Sequence, residues 1–177
     1  VYALSDRFIE RLAALDPGMA TALGIAGHDH EMTDFSPAGH DARGQVVRNT
    51  LAELNATEAT TDADRLAAGV LRESLELSVV EFDAGEHLRA IRVLRGDADN
   101  ARRTFDLMPK ASADDWSVIA ERMSNVPQAF AGMRESWKLG IERGIVAQRL
   151  QVLAVSEQLL AWSGNGTPGF FETFADR

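Results

Sequence analysis

Apolar residues recur at three- and four-residue intervals through nearly the whole chain, and this spacing most constrains what it can fold into. The pattern is clearest between Phe105 and Trp162. There Ser112 precedes a run of helix formers and Asp115 stands three residues on. This reads as a capping box with Asp in place of the usual Glu. Trp116, Ile119, Ala120 and Met123 then share one helical face. Proline suits a first helical turn and disrupts an interior, so a new helix starts near Pro127. Its stripe is Phe130, Met133, Trp137 and Ile141, and Gly144 is placed to end it. A third helix spans Ala147 to Trp162 with two stripes. One is Leu150, Leu153 and Leu160; the other is Val152, Val155, Leu159 and Trp162. A helix apolar on two sides belongs between neighbours, so this one is expected at the centre of the fold. Trp116, Trp137 and Trp162 read as core packing rather than ligand stacking.

The first half carries the same period. A helix over YALSDRFIERLAAL presents Leu4, Phe8, Leu12 and Leu15. Asp16-Pro17 supplies an N-cap and a first-turn proline for a short helix that stops at Gly24. Gly24 to Phe35 is rich in Gly and Asp and reads as a loop. Ser36-Pro37 opens a helix to about Leu54, with Val47, Leu51 and Leu54 inward; Asn55 to Thr61 is a polar connection. Thr61 or Asp62 caps a helix that runs to Ala84. Its two stripes, Leu66-Val70-Leu77 and Leu71-Leu75-Val79-Phe82, predict neighbours on both sides. Residues 86–100 fit either a short helix or an extended segment. Arg102 to Leu107 is a helical turn before Pro109.

Alternation is nearly absent and no fixed-length repeat is visible. The fold class is therefore all-α: a multi-helix bundle with short loops, read as an incomplete part of a larger helical protein. The 177 residues suit one helical domain over 1–163. Residues 164–177 read as the truncated start of a following segment, opening with the linker-like GNGTPG at 164–169. They end on Phe170, Phe171 and Phe174 with nothing after them as cover. The chain opens at Val1 and reads as a processed or trimmed piece.

Charge and composition exclude several functions. A net charge of −9 with dispersed basic residues argues against nucleic acid. The absence of cysteine removes disulfides and thiolate chemistry. No apolar run approaches a membrane span and no leader pattern opens the chain, so the expectation is no membrane partner and a cytoplasmic location. A removed leader would leave no trace. No nucleophile elbow, phosphate-cradling loop or dinucleotide fingerprint is present, and no catalytic residue is assigned.

One polar cluster stands out. His28, Asp29, His30 and Asp34 lie within the glycine-bounded loop, with Glu31, His40 and Asp41 nearby. Imidazole and carboxylate are zinc ligands in principle. His30-Glu31 begins like a His-Glu-x-x-His motif, which needs two histidines one helical turn apart; Asp34 holds the second position, and Gly27 works against a helix. The four residues are therefore kept as weak binding candidates with no metal assigned. The plainer reading is a polar turn whose Asp29 and Asp34 bond nearby backbone N–H groups.

FDLMPKASADDWSVIAERMSNVPQAFAGMRESWKLGIERGIVAQRLQV, with LDPGMATALGIAGHDHEMTDFSP before it, resembles the N-terminal half of a bacterial family known as domain of unknown function 885. The likeness rests on Phe-Asp-Leu-Met-Pro, an acidic pair before Trp, a Val-Pro helix and a Gly-Ile-x-x-Gly helix end. It covers about Asp16 to Gln158 and departs at Gln148, where the family's proline is expected. The resemblance implies a longer helical parent similar to gluzincin-type zinc metallopeptidases, with the zinc motif in a C-terminal half outside this sequence. It implies a non-catalytic N-terminal part forming a wall or lid of a substrate channel. The partners implied are the rest of the parent polypeptide and a peptide-like substrate. Zinc is implied for the parent and no cofactor for this chain. The alternative is a self-contained helical binding or interaction module, compatible with a homo-oligomer through an apolar surface near Phe170–Phe174.

Overall fold

A computed structural model describes residues 1–164 and 166–175, and among them there is helix and no strand. Asn165, inside the expected linker, and the last two residues of the 164–177 segment lie outside the described residues. The elements are α1 (Tyr2–Leu15), α2 (Pro17–Leu23), α3 (Pro37–Asn55), α4 (Asp62–Asp83), a 3-10 turn (Glu86–Arg89), α5 (Asp97–Leu107), α6 (Ala113–Ser124), α7 (Val126–Glu142), α8 (Arg149–Trp162) and α9 (Phe170–Ala175). The chain is an all-α bundle.

The punctuation in the sequence sets these boundaries. Asp16 Oδ1 accepts from Met19 N–H at 3.0 Å, and Ser36 Oγ accepts from Gly39 N–H at 3.2 Å. Pro17 and Pro37 follow those caps at the first helical position, where a missing N–H leaves no bond unmade. The Ser112–Asp115 box forms in both directions: Asp115 N–H to Ser112 Oγ at 3.1 Å, Ser112 N–H to Asp115 Oδ2 at 2.9 Å. Thr61 and Asp64 build a second one at the start of α4. Gly24 ends α2 in the left-handed conformation.

Three apolar clusters hold the helices together. α1, α3 and α4 enclose Leu4, Leu54, Ala68 and Leu75. Phe35, Ala98, Ala101, Ala129 and Met133 join the 24–35 loop to α5 and α7, with Trp137 and Trp162 packed against them. Phe105, Met108, Ile119 and Phe174 form the third, flanked by Trp116. Full burial of a side chain such as Phe105 or Leu75 stabilises by about 1.5–3 kcal/mol. The three tryptophans thus border core clusters, as their spacing predicts. Two close approaches fix helix positions. A Cβ on Gly44 of α3 would stand 2.9 Å from the Phe82 ring of α4, and one on Gly132 of α7 would stand 2.7 Å from Ser36 N.

Several expectations are corrected. α8 is peripheral rather than central: Leu150 is 74% exposed, Val152, Leu153 and Leu160 also face out, and Val155 is its one buried side chain. Two apolar stripes can mean two neighbours, but here one stripe has none within the described residues. The same holds for α4, where Leu66, Val70 and Leu77 are exposed, and for Ile141 at the end of α7. Residues 86–100 are neither one helix nor one extended segment. They hold the 3-10 turn, an irregular stretch, and the start of α5, which begins at Asp97 rather than Arg102. The aromatic end is covered. Phe174 is 1% exposed and packs on Phe105 and Trp116, with ring centroids 6.1 and 5.9 Å apart. Phe105 and Trp116 come from α5 and α6, a pairing that local periodicity does not reveal.

Candidate functional site

The loop Gly24–Phe35 has no regular structure, yet it is tied down along its length. Arg122, on the face of α6 shared with Ile119, reaches it with a guanidinium of zero exposure. Nε donates to Glu31 O at 2.7 Å, Nη1 to Thr21 Oγ1 at 2.8 Å, and Nη2 to His28 O at 2.7 Å and Pro17 O at 3.4 Å. Burial lowers the pKa of Arg122, while Asp29 and Glu31 oppose that shift. Five donors in a planar fork let one side chain serve several carbonyls of a loop whose backbone pairs little with itself. Further along, Asn125 Nδ2 donates to His30 O at 3.2 Å, Thr33 Oγ1 to Asp16 Oδ1 at 2.6 Å, and Ser136 Oγ of α7 to Phe35 O at 2.7 Å.

Behind the end of this loop lies a buried polar group from α3 and its neighbours. Arg43 donates to Asp34 O at 2.7 Å and Leu15 O at 3.3 Å, and contacts His40 Nδ1 at 3.0 Å. Arginine only donates, so His40 Nδ1 accepts, and the proton of the neutral ring sits on Nε2. That Nε2 is buried without a partner, as are His87 Nδ1 and Asp97 Oδ2. Burial, helped by Arg43 and His87, lowers His40 to about 3. His87 is also lowered, chiefly by burial. Burial pushes Asp97 up to about 7; Arg43 opposes this and Asp16 adds to it. Arg43 is itself lowered by burial, against Asp16, Asp97 and Asp34. The rings form a row of contacts from the loop to α4, stacked only at its last pair. Phe35 to His40 is 6.5 Å, His40 to His87 is 4.9 Å, and His87 lies flat on Phe82 at 4.5 Å.

Two hollows of about 400 and 410 Å³ share Met32 and Thr33 in their linings. The first runs between α2 and α5 and is lined by Asp16, Thr33, Arg95, Asn100, Arg103 and Thr104 among others. The second lies toward α1 and α7 and includes Glu31, Asp34, Asn125 and Gln128. Both fall within the size range of small-molecule sites. Met32 and Thr33 of the polar loop thus line both hollows.

The four weak candidates do not converge on one point. His28 Nδ1 and His30 Nε2 each stand 3.5 Å from a different Glu31 oxygen. Asp29 Oδ1 accepts from the Thr21 hydroxyl at 2.8 Å, a side-chain partner where backbone was expected. Asp34 Oδ1 accepts from Ser36 N–H at 2.8 Å, the expected turn bond. Among the described residues no group of three or more His, Asp or Glu side chains is placed to hold a metal ion. The zinc of the resemblance is implied for the longer parent, outside this sequence. No sequence motif marks Arg122, Arg43, Asp97 or the role of His40. The signal was register. Arg122 follows Ile119 by three positions, and His40, Arg43 and Val47 share the inward face of α3.

No helix among the described residues is long and apolar enough to cross a membrane. No curated protein matches the chain. Over residues 17–177, nearly all of the elements just described, it matches the family model "Bacterial protein of unknown function (DUF885)", and the chain belongs to that family.

Proposed function

We propose that this chain is the non-catalytic, N-terminal helical part of a zinc-dependent hydrolase or peptidase-like protein, forming a wall or lid of a substrate channel. The observation that carries the reading is the outer face of α8. Leu150, Val152, Leu153 and Leu160 expose an apolar strip on a helix whose other side packs on the core through Trp162 and Leu159. An apolar strip of this kind favours burial against further polypeptide, which the parent would supply. The hollows beside Met32-Thr33 supply concave surface for such a wall.

The test is to express the parent gene and measure peptide hydrolysis with and without a chelator. The expected result is chelator-sensitive hydrolysis that depends on a His-Glu motif outside this segment. A parent without that motif, or hydrolysis indifferent to chelation, overturns the reading.

A second reading draws on the same strip: a self-contained helical module that pairs with another copy through α8. Light scattering separates the two. A closed, concentration-independent dimer of the 177-residue chain, dispersed by Leu150→Lys, favours the module.

A further inference from the structure

Helix α4 has two apolar faces, and the fold covers one of them. Ala68 and Leu75 are buried against α1 and α3, with Leu71, Val79 and Phe82 half-buried beside them. On the opposite face Leu66, Val70, Leu77 and Val80 are each between 57 and 72% exposed. With Glu73 among them, these residues follow one another at steps of four, three, four and three. That is the 3.5-residue period of a seam between two helices, narrower than a face laid on a broad core. On a 22-residue helix the seam runs for about 20 Å. Glycine is disfavoured inside a helix, yet a Cβ added at Gly69, beside the seam, would meet nothing in this chain within 4 Å. The missing side chain leaves that flank open to a close neighbour.

The charges along the seam favour one arrangement of a second copy. Glu73, Glu76 and Glu81 lie in the C-terminal half, and none is in an ion pair among the described residues. Arg65 and Arg72 lie in the N-terminal half, where the acids are already engaged, Asp62 by Arg65 and Asp64 in the capping box. Arg72 spends only its Nε, on Asn55 Oδ1 at 3.2 Å. A parallel pair would set Glu73 against Glu73, and like charges facing each other oppose association. An antiparallel pair brings the acidic half of each helix to the half of the other that carries the arginines. Aligning the two seams then places Leu66 opposite the second copy's Leu77 and Val70 opposite its Glu73, each contact made twice about the axis. The Glu73 carboxylate comes within reach of the second copy's Arg72.

We propose that the outer face of α4 is a self-association surface, on which a second copy of this chain docks its own α4 antiparallel about a two-fold axis. The inference does not rest on the hydrolase reading, and it uses a different helix from the α8 pairing. Eight exposed apolar side chains and their flanks leave water in such a pair. That is on the order of 1,000 Å², the lower end of specific interfaces, so the dimer is a reversible one.

Light scattering of the 177-residue chain at about 100 μM is expected to give a dimer that dissociates on dilution. Leu77→Glu should be a monomer at the same concentration with an unchanged thermal melt, because that side chain is exposed. Leu150→Lys should leave the dimer as it is. The chain has no cysteine, so introduced thiols report the register. Leu66→Cys and Leu77→Cys chains, mixed and oxidised, are expected to cross-link to each other. Leu66→Cys alone is not, because its two copies stand about 16 Å apart along an antiparallel pair, beyond disulfide reach. A chain that is monomeric at that concentration overturns the proposal. So does a dimer that survives Leu77→Glu or is dispersed by Leu150→Lys, and so does Leu66→Cys cross-linking to itself in preference to Leu77→Cys.

Discussion

The 24–35 loop and helix α8 are opposites in build and in surroundings. The loop is polar and irregular, yet Arg122, Asn125, Ser136 and Arg43 hold its carbonyls and Phe35 is buried beneath it. α8 is regular and mostly apolar, yet much of its hydrocarbon faces outward. Regularity therefore does not measure how firmly a segment is held. A loop gains rigidity from donors that arrive from other elements, because few of its own N–H and C=O groups pair with each other; within this one Glu31 N–H reaches His28 O at 3.1 Å. A helix satisfies its backbone internally and keeps its form with one side uncovered.

The sharpest way to break this contrast is Arg122→Ala. It removes four donated bonds at once, leaving the Glu31 carbonyl without its donor and His28 O with only the Glu31 N–H. The expected loss is about 3–5 kcal/mol in urea unfolding. A loss below about 1 kcal/mol would mean the loop holds itself.

Asp97→Asn tests the polar group behind the loop through pH. The folded-state pKa of Asp97 is raised from 3.8 to about 7, so the native state binds the proton more tightly and stability falls as pH rises from about 4 to 7. His40 runs the other way. Lowered from 6.5 to about 3, it makes stability fall as pH drops through that window. The two slopes oppose each other in the native protein. In Asp97→Asn only the histidine slope remains, so stability relative to the parent chain should climb by at least about 1 kcal/mol between pH 4 and 7. Thermal melts across that range read it directly, and a difference independent of pH contradicts the burial argument.

Ser112→Ala removes one half of the box at the start of α6, the helix that presents Arg122. About 1 kcal/mol is expected. Loop amide exchange faster than that global loss accounts for would show that α6 transmits strain to the loop. The smallest effect belongs to α8: Leu150→Lys should change stability by no more than about 0.5 kcal/mol. A larger loss would place that side chain in a contact of this chain's own.

The helices and their ends were legible because their causes are local. Asp16-Pro17, Ser36-Pro37 and the Ser112–Asp115 pair act within one turn. What neighbours each stripe was not legible. The two stripes of α8 look alike in sequence, and only the placement of Phe35, Ala98 and Met133 decides which is covered. The polar loop showed its histidines, which face Glu31, and hid its anchors. Arg122 is some ninety residues from the carbonyls it serves, a separation no window spans. Arg95 at positive φ left no trace either, since Gly or Asn is the residue that announces such a turn.

The close fit of Gly44 under the Phe82 ring has a consequence for the connection between α3 and α4. Phe82 lies at the end of α4 remote from that connection, so the alignment of the two rods is keyed there. The polar tether at 56–61 is left as a spacer. Adding residues to it costs only slowly growing entropy, and the row of rings that begins at Phe82 need not register its length.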